Sequence, residues 1–244
     1  MNRGEQAASA ASRAGTIKGE LPRYLAGPAR TGRWLRWRFD LNGLSILEIA
    51  GGSCRDSRYL HASGLDAVGS DGDAETISQV REHLTGSGFG PRLEDAAALS
   101  FPDRSFDVVF HNGLWVVFPA DDQIRLLLNE QLRVTRRYGV AIVHNALNRR
   151  LVDRFASLAK TDPLYSIRFF TPEQIRELVR PCLGPADRLS IEKFGGPADH
   201  GYGIQRRAPG IGAAAAALPP RLYRFQPWSV TERIAVVIDR GARR

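Results

Sequence analysis

Acidic residues and small-residue turns recur along the first half of the chain at spacings that suit a small polar ligand. Ile46-Leu47-Glu48-Ile49 is an apolar run that carries a carboxylate near its end. Ala50-Gly51-Gly52-Ser53-Cys54 follows at once, and a helical pattern begins near Asp56. A turn of small residues between a strand and a helix lets the backbone approach a nucleotide-like ligand closely. About twenty residues on, at the distance where ribose-binding acids stand in such units, Val68-Gly69-Ser70-Asp71 ends a second apolar run in a carboxylate. A carboxylate there can accept from both hydroxyls of a ribose. The turn alone is weak, because glycine-rich turns occur in many loops; turn, carboxylate and spacing together are much stronger.

The elements that must hold these residues alternate. Ser45–Ile49, Ala67–Ser70, a short stretch near Arg92–Glu94, Phe106–Phe110 and Gly139–Val143 read as strands. Asp56–Ala62, Ala74–Leu84 and Gln123–Val134 read as helices between them. The alternation predicts a doubly wound α/β sheet, parallel and covered by helices on both faces. Ligands on such sheets lie beyond the carboxyl ends of the strands. After Asn145 the pattern changes. Arg149–Ala159 and Thr171–Arg180 read as helices, the second with N-cap chemistry at Thr171-Pro172-Glu173, and Leu189–Phe194 and Ile234–Ile238 as strands. The aromatic-rich stretch 21–43 reads as a helical cover, 1–20 as a mobile tail, and 44–244 as the main domain, with insertions around 146–172 and 195–232. The alanine run Ala213–Ala217 fits a short helix or a flexible link equally well.

Composition narrows the class. The chain has 244 residues, 43% of them hydrophobic, enough for one large domain with a sizeable core. No apolar run approaches the roughly 18–20 residues that span a bilayer, and the start lacks the apolar centre of a secretory signal. Cys54 and Cys182 make no metal or redox spacing, so a reduced, cytoplasmic protein is expected. The formal charge is +8, carried almost wholly by arginine. The arginines are scattered rather than gathered in a block, which argues against nucleic acid as the partner.

The order Glu48-Ile49-Ala50-Gly51-Gly52-Ser53-Cys54, then Asp71, then Asp95-Ala96, then Phe106-Asp107-Val108-Val109 resembles the class I S-adenosylmethionine-dependent methyltransferases, and most of all their small-molecule branch. The run Glu94-Asp95-Ala96-Ala97-Ala98-Leu99-Ser100-Phe101-Pro102-Asp103-Arg104-Ser105-Phe106-Asp107 is the most specific part. The resemblance implies a seven-stranded Rossmann-like sheet of order 3-2-1-4-5-7-6 with an antiparallel last strand, and S-adenosylmethionine as cofactor. It implies that Glu48 reaches toward the amino-acid part of the cofactor and that Ala50, Gly51, Gly52 and Ser53 bring the backbone close. Asp71 and Gly72 would meet the ribose, Asp95 and Ala96 the adenine, and Asn112 would line the same site. Glycine is usual where Ala50 and Cys54 stand. A positive φ at Ala50 would cost about 1 kcal/mol through its Cβ, so negative φ is expected there. A dinucleotide fingerprint, Gly-x-Gly-x-x-Gly, fits poorly, since counting from Gly51 its later glycines are replaced by Ser53 and Asp56. Asp56 would repel a pyrophosphate but tolerates a sulfonium nucleoside.

Methyl transfer from a sulfonium needs an aligned acceptor and exclusion of water, with no acid for the neutral leaving group. A hydroxyl or protonated amine would also need a base. His144 and His111, each just past an apolar strand, are the candidates. Trp115, Asn145, Tyr165, Arg168, Phe169 and Phe170 are candidate walls of an acceptor pocket, though aromatics so placed serve equally as core. His200 is a candidate lid residue, and Cys54, at a helix start, could carry a lowered pKa without a nucleophilic task. The expected partner is a small-molecule methyl acceptor, with no metal. An RNA-modifying methyltransferase and a catalytically silent binding protein remain as alternatives, and the acceptor atom and oligomeric state stay open.

Overall fold

The computed structural model describes Leu21, residues 25–199 and residues 220–241. The proposed tail, the Ala213–Ala217 run and His200 lie outside the described residues. The elements are α1 (Arg30–Arg38), β1 (Ser45–Glu48), α2 (Arg55–Ala62), β2 (Asp66–Asp71), α3 (Ala74–His83), β3 (Arg92–Leu93), β4 (Phe106–Asn112), α4 (Asp121–Val134), β5 (Thr135–His144), α5 (Arg149–Leu158), α6 (Pro172–Val179), β6 (Arg188–Phe194) and β7 (Arg233–Asp239). The seven strands form one sheet of order β3-β2-β1-β4-β5-β7-β6. The pairs among β1 to β5 are parallel, and β7 runs antiparallel between β5 and β6. This is the expected architecture and strand order.

The period-2 pattern of each strand sorts its side chains into two cores. Ile46, Val108, Phe110, Val140, Ile142, Ala235 and Val237 face α1 and α2, where Trp34, Leu35 and Leu60 close over them. Leu47, Ile49 and Val109 face the other way, as do Ala141, Val143 and Val236, which pack on Ile124 and Leu128 of α4 and Ile175 and Leu178 of α6. Full burial of each such aliphatic side chain contributes roughly 1.5–3 kcal/mol. The helices that the sequence marked are present, and α6 starts with a complete capping box between Thr171 and Gln174.

β5 is longer than its apolar run suggested. It leaves α4 without a loop at Thr135, whose hydroxyl donates to the Gln131 carbonyl at 2.6 Å. Its polar first residues pair across an irregularity in β4 between Phe106 and Val108. Arg136 there donates to the Asp107 carboxylate at 3.1 Å and the Ser45 hydroxyl at 2.7 Å. Side-chain pairing, rather than apolar burial, carries this end of the strand, so hydrophobic periodicity does not reveal it.

Candidate active site

The loop after β1 is held at the carboxyl ends of β1 and β2. Ala50, Gly52 and Cys54 all have positive φ, at +50°, +55° and +50°. The expectation of negative φ at Ala50 is therefore corrected. The loop alternates left-handed residues, and at Ala50 and Cys54 the Cβ pays the steric cost that glycine avoids. Three hydrogen bonds hold this backbone in place. Gly51 N–H donates to the Ser70 carbonyl at 2.8 Å and Cys54 N–H to the Gly51 carbonyl at 3.0 Å. Gly52 N–H donates to the Asp71 carboxylate at 2.8 Å. Packing beneath is tight: a Cβ on Gly69 would sit 2.5 Å from the Ser57 hydroxyl and 2.7 Å from Cys54 Cβ. Burial, with Glu48 and Asp71 nearby, pushes the Cys54 thiol well up rather than down, so it is an inert core group.

Two buried carboxylates cap helices that lack caps of their own. Ala29 and Cys54, which precede α1 and α2, offer no side-chain cap. Glu48 supplies the missing acceptor for α2 through Ser57. Asp56 does the same for α1, accepting from Gly32 N–H at 2.8 Å and from the Thr31 backbone. Burial first, then the charge of Asp56, raises Glu48 to about 8, and burial raises Asp56 as well. Asp71 is only partly buried. Its oxygens also receive Asp73 N–H at 3.0 Å, and burial raises its pKa. Asp95 is exposed beside the end of β3, in a turn with Ala96 where it accepts from Ala97 N–H at 2.9 Å. Gly72 and Ser53 also keep surface open to solvent. Half-open backbone flanked by Glu48, Asp71 and Asp95 is an acceptor-rich cradle. It suits a ligand with hydroxyls, an amine and a cationic centre, and it repels phosphate.

Strand alternation separates the two candidate bases. Asn112 and His144 share the α1 face with Glu48. His111 points to the opposite face, fully buried, its ring 5.2 Å from that of Trp115. Burial lowers His111 to about 3, and its Nε2 has no hydrogen-bond partner. His144 is 8% exposed. Burial, then Arg233 and Arg30, lowers it to about 2, and its Nδ1 is also unpartnered. Both imidazoles are neutral at physiological pH. Asn112 donates to the Thr31 hydroxyl at 3.1 Å and accepts from Arg233. Arg30 donates to Glu232 at 2.9 Å and pairs with Asp199, which also accepts from the Tyr223 hydroxyl.

The proposed pocket residues divide. Phe169 and Tyr165 join His144 in an aromatic group centred on Phe155 of α5. The Phe155 ring lies 5.2 Å from His144, 5.4 Å from Tyr165 and 5.5 Å from Phe169. Trp115 and Phe170 are fully buried in the core. Asn145 spends its amide on the Trp228 and Thr231 carbonyls at 2.8 and 2.9 Å. Arg168 pairs with Asp121 at 2.7 Å. Phe155 and Arg233 were not singled out from the sequence. Phe155 carries the apolar stripe Leu151, Val152, Phe155, Leu158 of α5, a helix with no fully buried residue, and that stripe was a usable signal. Arg233 directly precedes the apolar run Ile234–Ile238, and nothing in the sequence sets it apart from the other scattered arginines.

A mixed sheet in this order, with its last strand antiparallel and a carboxylate-lined glycine loop after its first strand, has the class I methyltransferase architecture. Residues 47–143 match the family model described as a methyltransferase domain. The ubiquinone/menaquinone biosynthesis C-methyltransferase UbiE of Hahella chejuensis is 35% identical over 123 residues, 45% of this chain and 47% of that protein. The chain thus spans about half the length of the curated relative it matches. Among solved structures, a SAM-dependent methyltransferase from Archaeoglobus fulgidus superposes with a TM-score of 0.60 at 15% identity, over 92% of this chain and 99% of that one. Magnesium protoporphyrin IX methyltransferase from Synechocystis PCC 6803, with bound S-adenosylhomocysteine, gives 0.53 at 11% identity, over 95% and 84%. At those identities the two structures speak to fold alone. Residues 47–143 are thus similar to a methyltransferase domain, and the sheet has the Rossmann-like fold of S-adenosylmethionine-dependent methyltransferases.

Proposed function

We propose that this protein transfers the methyl group of S-adenosylmethionine to a small-molecule acceptor by in-line displacement. The observation that carries the reading is the pairing of the left-handed loop 50–54 with Asp71, at the ends of β1 and β2. In this reading Asp71 and Gly72 hold the ribose, and Asp95 and Ala96 hold the adenine. Ala50, Gly51, Gly52 and Ser53 present backbone to the amino-acid end, with Glu48 and Asn112 behind them. The bound cofactor would supply an activated methyl on a sulfonium. The protein's own task is to orient the acceptor and keep water out. Phe155, Tyr165 and Phe169 form the acceptor side of the cleft, with His144 between them and the sheet.

His144 is the nearer of the two candidate bases to this aromatic group, and His111 is screened from it by the sheet. A base whose pKa lies near 2 takes little of a proton at pH 7. His144 therefore serves best as a neutral hydrogen-bond acceptor. Among the described residues no helix is long and apolar enough to cross a membrane, and both cysteines are free, which fits a reducing compartment such as the cytoplasm. The arginines of α1 are already committed, Arg36 to Tyr59 and Ser63 and Arg38 to Glu192, which supports a small acceptor over RNA.

Calorimetry with S-adenosylhomocysteine, followed by a labelled-methyl screen of small-molecule fractions, tests the reading. Micromolar cofactor binding and a labelled small product are expected. Tight NAD binding without S-adenosylhomocysteine binding would overturn it, and labelled RNA in place of a small product would move the acceptor to nucleic acid.

A further inference from the structure

Arg233 opens β7 and faces His144 directly across the β5–β7 ladder. Residues so paired carry their Cβ atoms about 5 Å apart on one face of the sheet. This face is the one that holds Glu48 and Asn112, and on it Arg233 keeps some solvent exposure while protein surrounds it. Its ladder partner His144 lies against the rings of Phe155 and Phe169, at 5.2 and 5.5 Å.

The arginine is under-used. Its hydrogen bond goes to the neutral amide oxygen of Asn112. Among the described residues no carboxylate comes within ion-pair distance of it. The nearby Glu232 and Asp199 are taken by Arg30, and Asp56 by the backbone of α1. Guanidinium groups enclosed by protein are ordinarily paired. His144 Nδ1, on the residue opposite in the ladder, is buried without a hydrogen-bond partner.

We propose that Arg233 is the subsite for an anionic acceptor: a small aromatic or enolic compound held as its oxyanion against Arg233, with its ring among Phe155, Tyr165, Phe169 and the His144 imidazole. The inference rests on the methyl-transfer reading and names the substrate class for it. Burial, then the neighbouring Arg30, lowers Arg233 to about 10 against the opposing pull of Glu232 and Asp56, so these carboxylates compensate its cation only in part, and an oxyanion would add to them. The same anion removes the need for a base, which the two neutral histidines do not provide. In transfer to such an acceptor, the oxyanion oxygen forms its bond to the methyl carbon as the carbon–sulfur bond breaks. The electron pair goes to sulfur, giving a neutral ether and a neutral thioether with no proton left over. Opposite charges vanish in that step, so a water-poor cleft favours it.

The test uses the full chain saturated with S-adenosylhomocysteine and 4-nitrophenol as the probe, with nitrobenzene as its neutral counterpart. Its absorbance reports the bound ionisation state. The parent is expected to bind the probe as phenolate, at a pH where free probe is largely protonated, at least tenfold tighter than nitrobenzene. Arg233→Met should lose tenfold or more of phenolate affinity and Arg233→Lys less, with S-adenosylhomocysteine affinity within threefold of the parent in both. Equal affinity for phenolate and nitrobenzene in the parent overturns the subsite, and that arm needs no variant to fold. Unchanged phenolate affinity in a folded Arg233→Met overturns it as well. A tenfold loss of S-adenosylhomocysteine affinity in that variant would instead assign Arg233 to the cofactor's own carboxylate. If the parent ignores S-adenosylhomocysteine yet takes up phenolate through Arg233, the methyl-transfer reading fails and the anion subsite stands.

Discussion

Ser57 gives both its backbone N–H and its hydroxyl to a single carboxylate oxygen of Glu48, at 2.8 and 2.6 Å. The residue at the end of β1 thereby caps the helix that follows the glycine loop, and loop and helix are fixed as one unit. Glu48→Ala leaves the buried Ser57 N–H without its acceptor and the hydroxyl with only the Cys54 carbonyl at 3.1 Å, which costs about 1–3 kcal/mol. Glu48→Gln keeps an acceptor oxygen and should retain most of that stability. Urea unfolding of the two variants checks this, and equal losses in both would show that capping is not what Glu48 contributes.

Gly69 has no room for a side chain. Alanine there drives its Cβ into the Ser57 hydroxyl and Cys54 Cβ, and overpacking of this kind costs about 1–3 kcal/mol. Gly69→Ala should therefore lower the unfolding midpoint by that amount and weaken S-adenosylhomocysteine binding, because the displaced groups carry the loop. Ala50→Gly is the contrasting change. It removes the strain of a left-handed alanine and should leave stability within about 1 kcal/mol of the parent or raise it. A loss above 2 kcal/mol in Ala50→Gly would mean that the left-handed conformation at +50° carries no strain.

Much of this was legible in the sequence, for identifiable reasons. The apolar runs made the strands and their alternation with helices legible, since buried parallel strands read as continuous apolar runs; the strand order came only from the family resemblance carried by the residues around Glu48, Asp71 and Asp95. The left-handed Ala50 was not legible, because local sterics disfavour it and only the bonds to Ser70 and Asp71 make it hold. Nor was the role of Asp56, which caps a helix 24 positions earlier in the chain. Arg233 was hidden because its meaning depends on the residue opposite it in β5, a pairing fixed by register. The neutral state of the histidines depends on burial, which spacing does not reveal.

Asp71 holds the loop through Gly52 N–H and is the proposed ribose ligand. In the proposed function Asp71→Ala would remove two charge-assisted ribose bonds, at a cost of about 2–4 kcal/mol of cofactor affinity. It also frees Gly52 N–H, so some loss of stability is expected. Asp71→Asn keeps one of the two acceptor oxygens that Gly52 and Asp73 use and helps to separate the two effects: a smaller loss of stability than in Asp71→Ala, with affinity still reduced. Calorimetry with S-adenosylhomocysteine reads the first and thermal unfolding the second. Unchanged affinity in Asp71→Ala would remove this residue from the cofactor site.

The buried titratable groups set opposing pH slopes on stability. Glu48 is raised from 4.5 to about 8, so the folded state holds its proton more tightly than the unfolded chain. That contribution is complete below about pH 4.5 and is lost as pH rises toward 8. Asp56 acts in the same direction. His111 and His144 are lowered from 6.5 to about 3 and about 2. The unfolded chain binds their protons first, so their contribution is complete above about 6.5 and is lost as pH falls. Each group gives a slope of at most about 1.4 kcal/mol per pH unit. Above 6.5 only the carboxylates act, and stability should decline; below it the two histidines pull the other way. The decline should set in above about pH 6.5, with a much shallower slope just below it, where the two pairs oppose each other. Glu48→Gln should flatten the alkaline limb and leave the histidines' opposing slope in place. Denaturant unfolding from pH 5 to 8.5 measures both limbs, and imidazole NMR over the same range should find His111 and His144 neutral throughout. A midpoint near 6.5 for either ring would restore it as a working base and remove the reason for an acceptor that arrives already ionised.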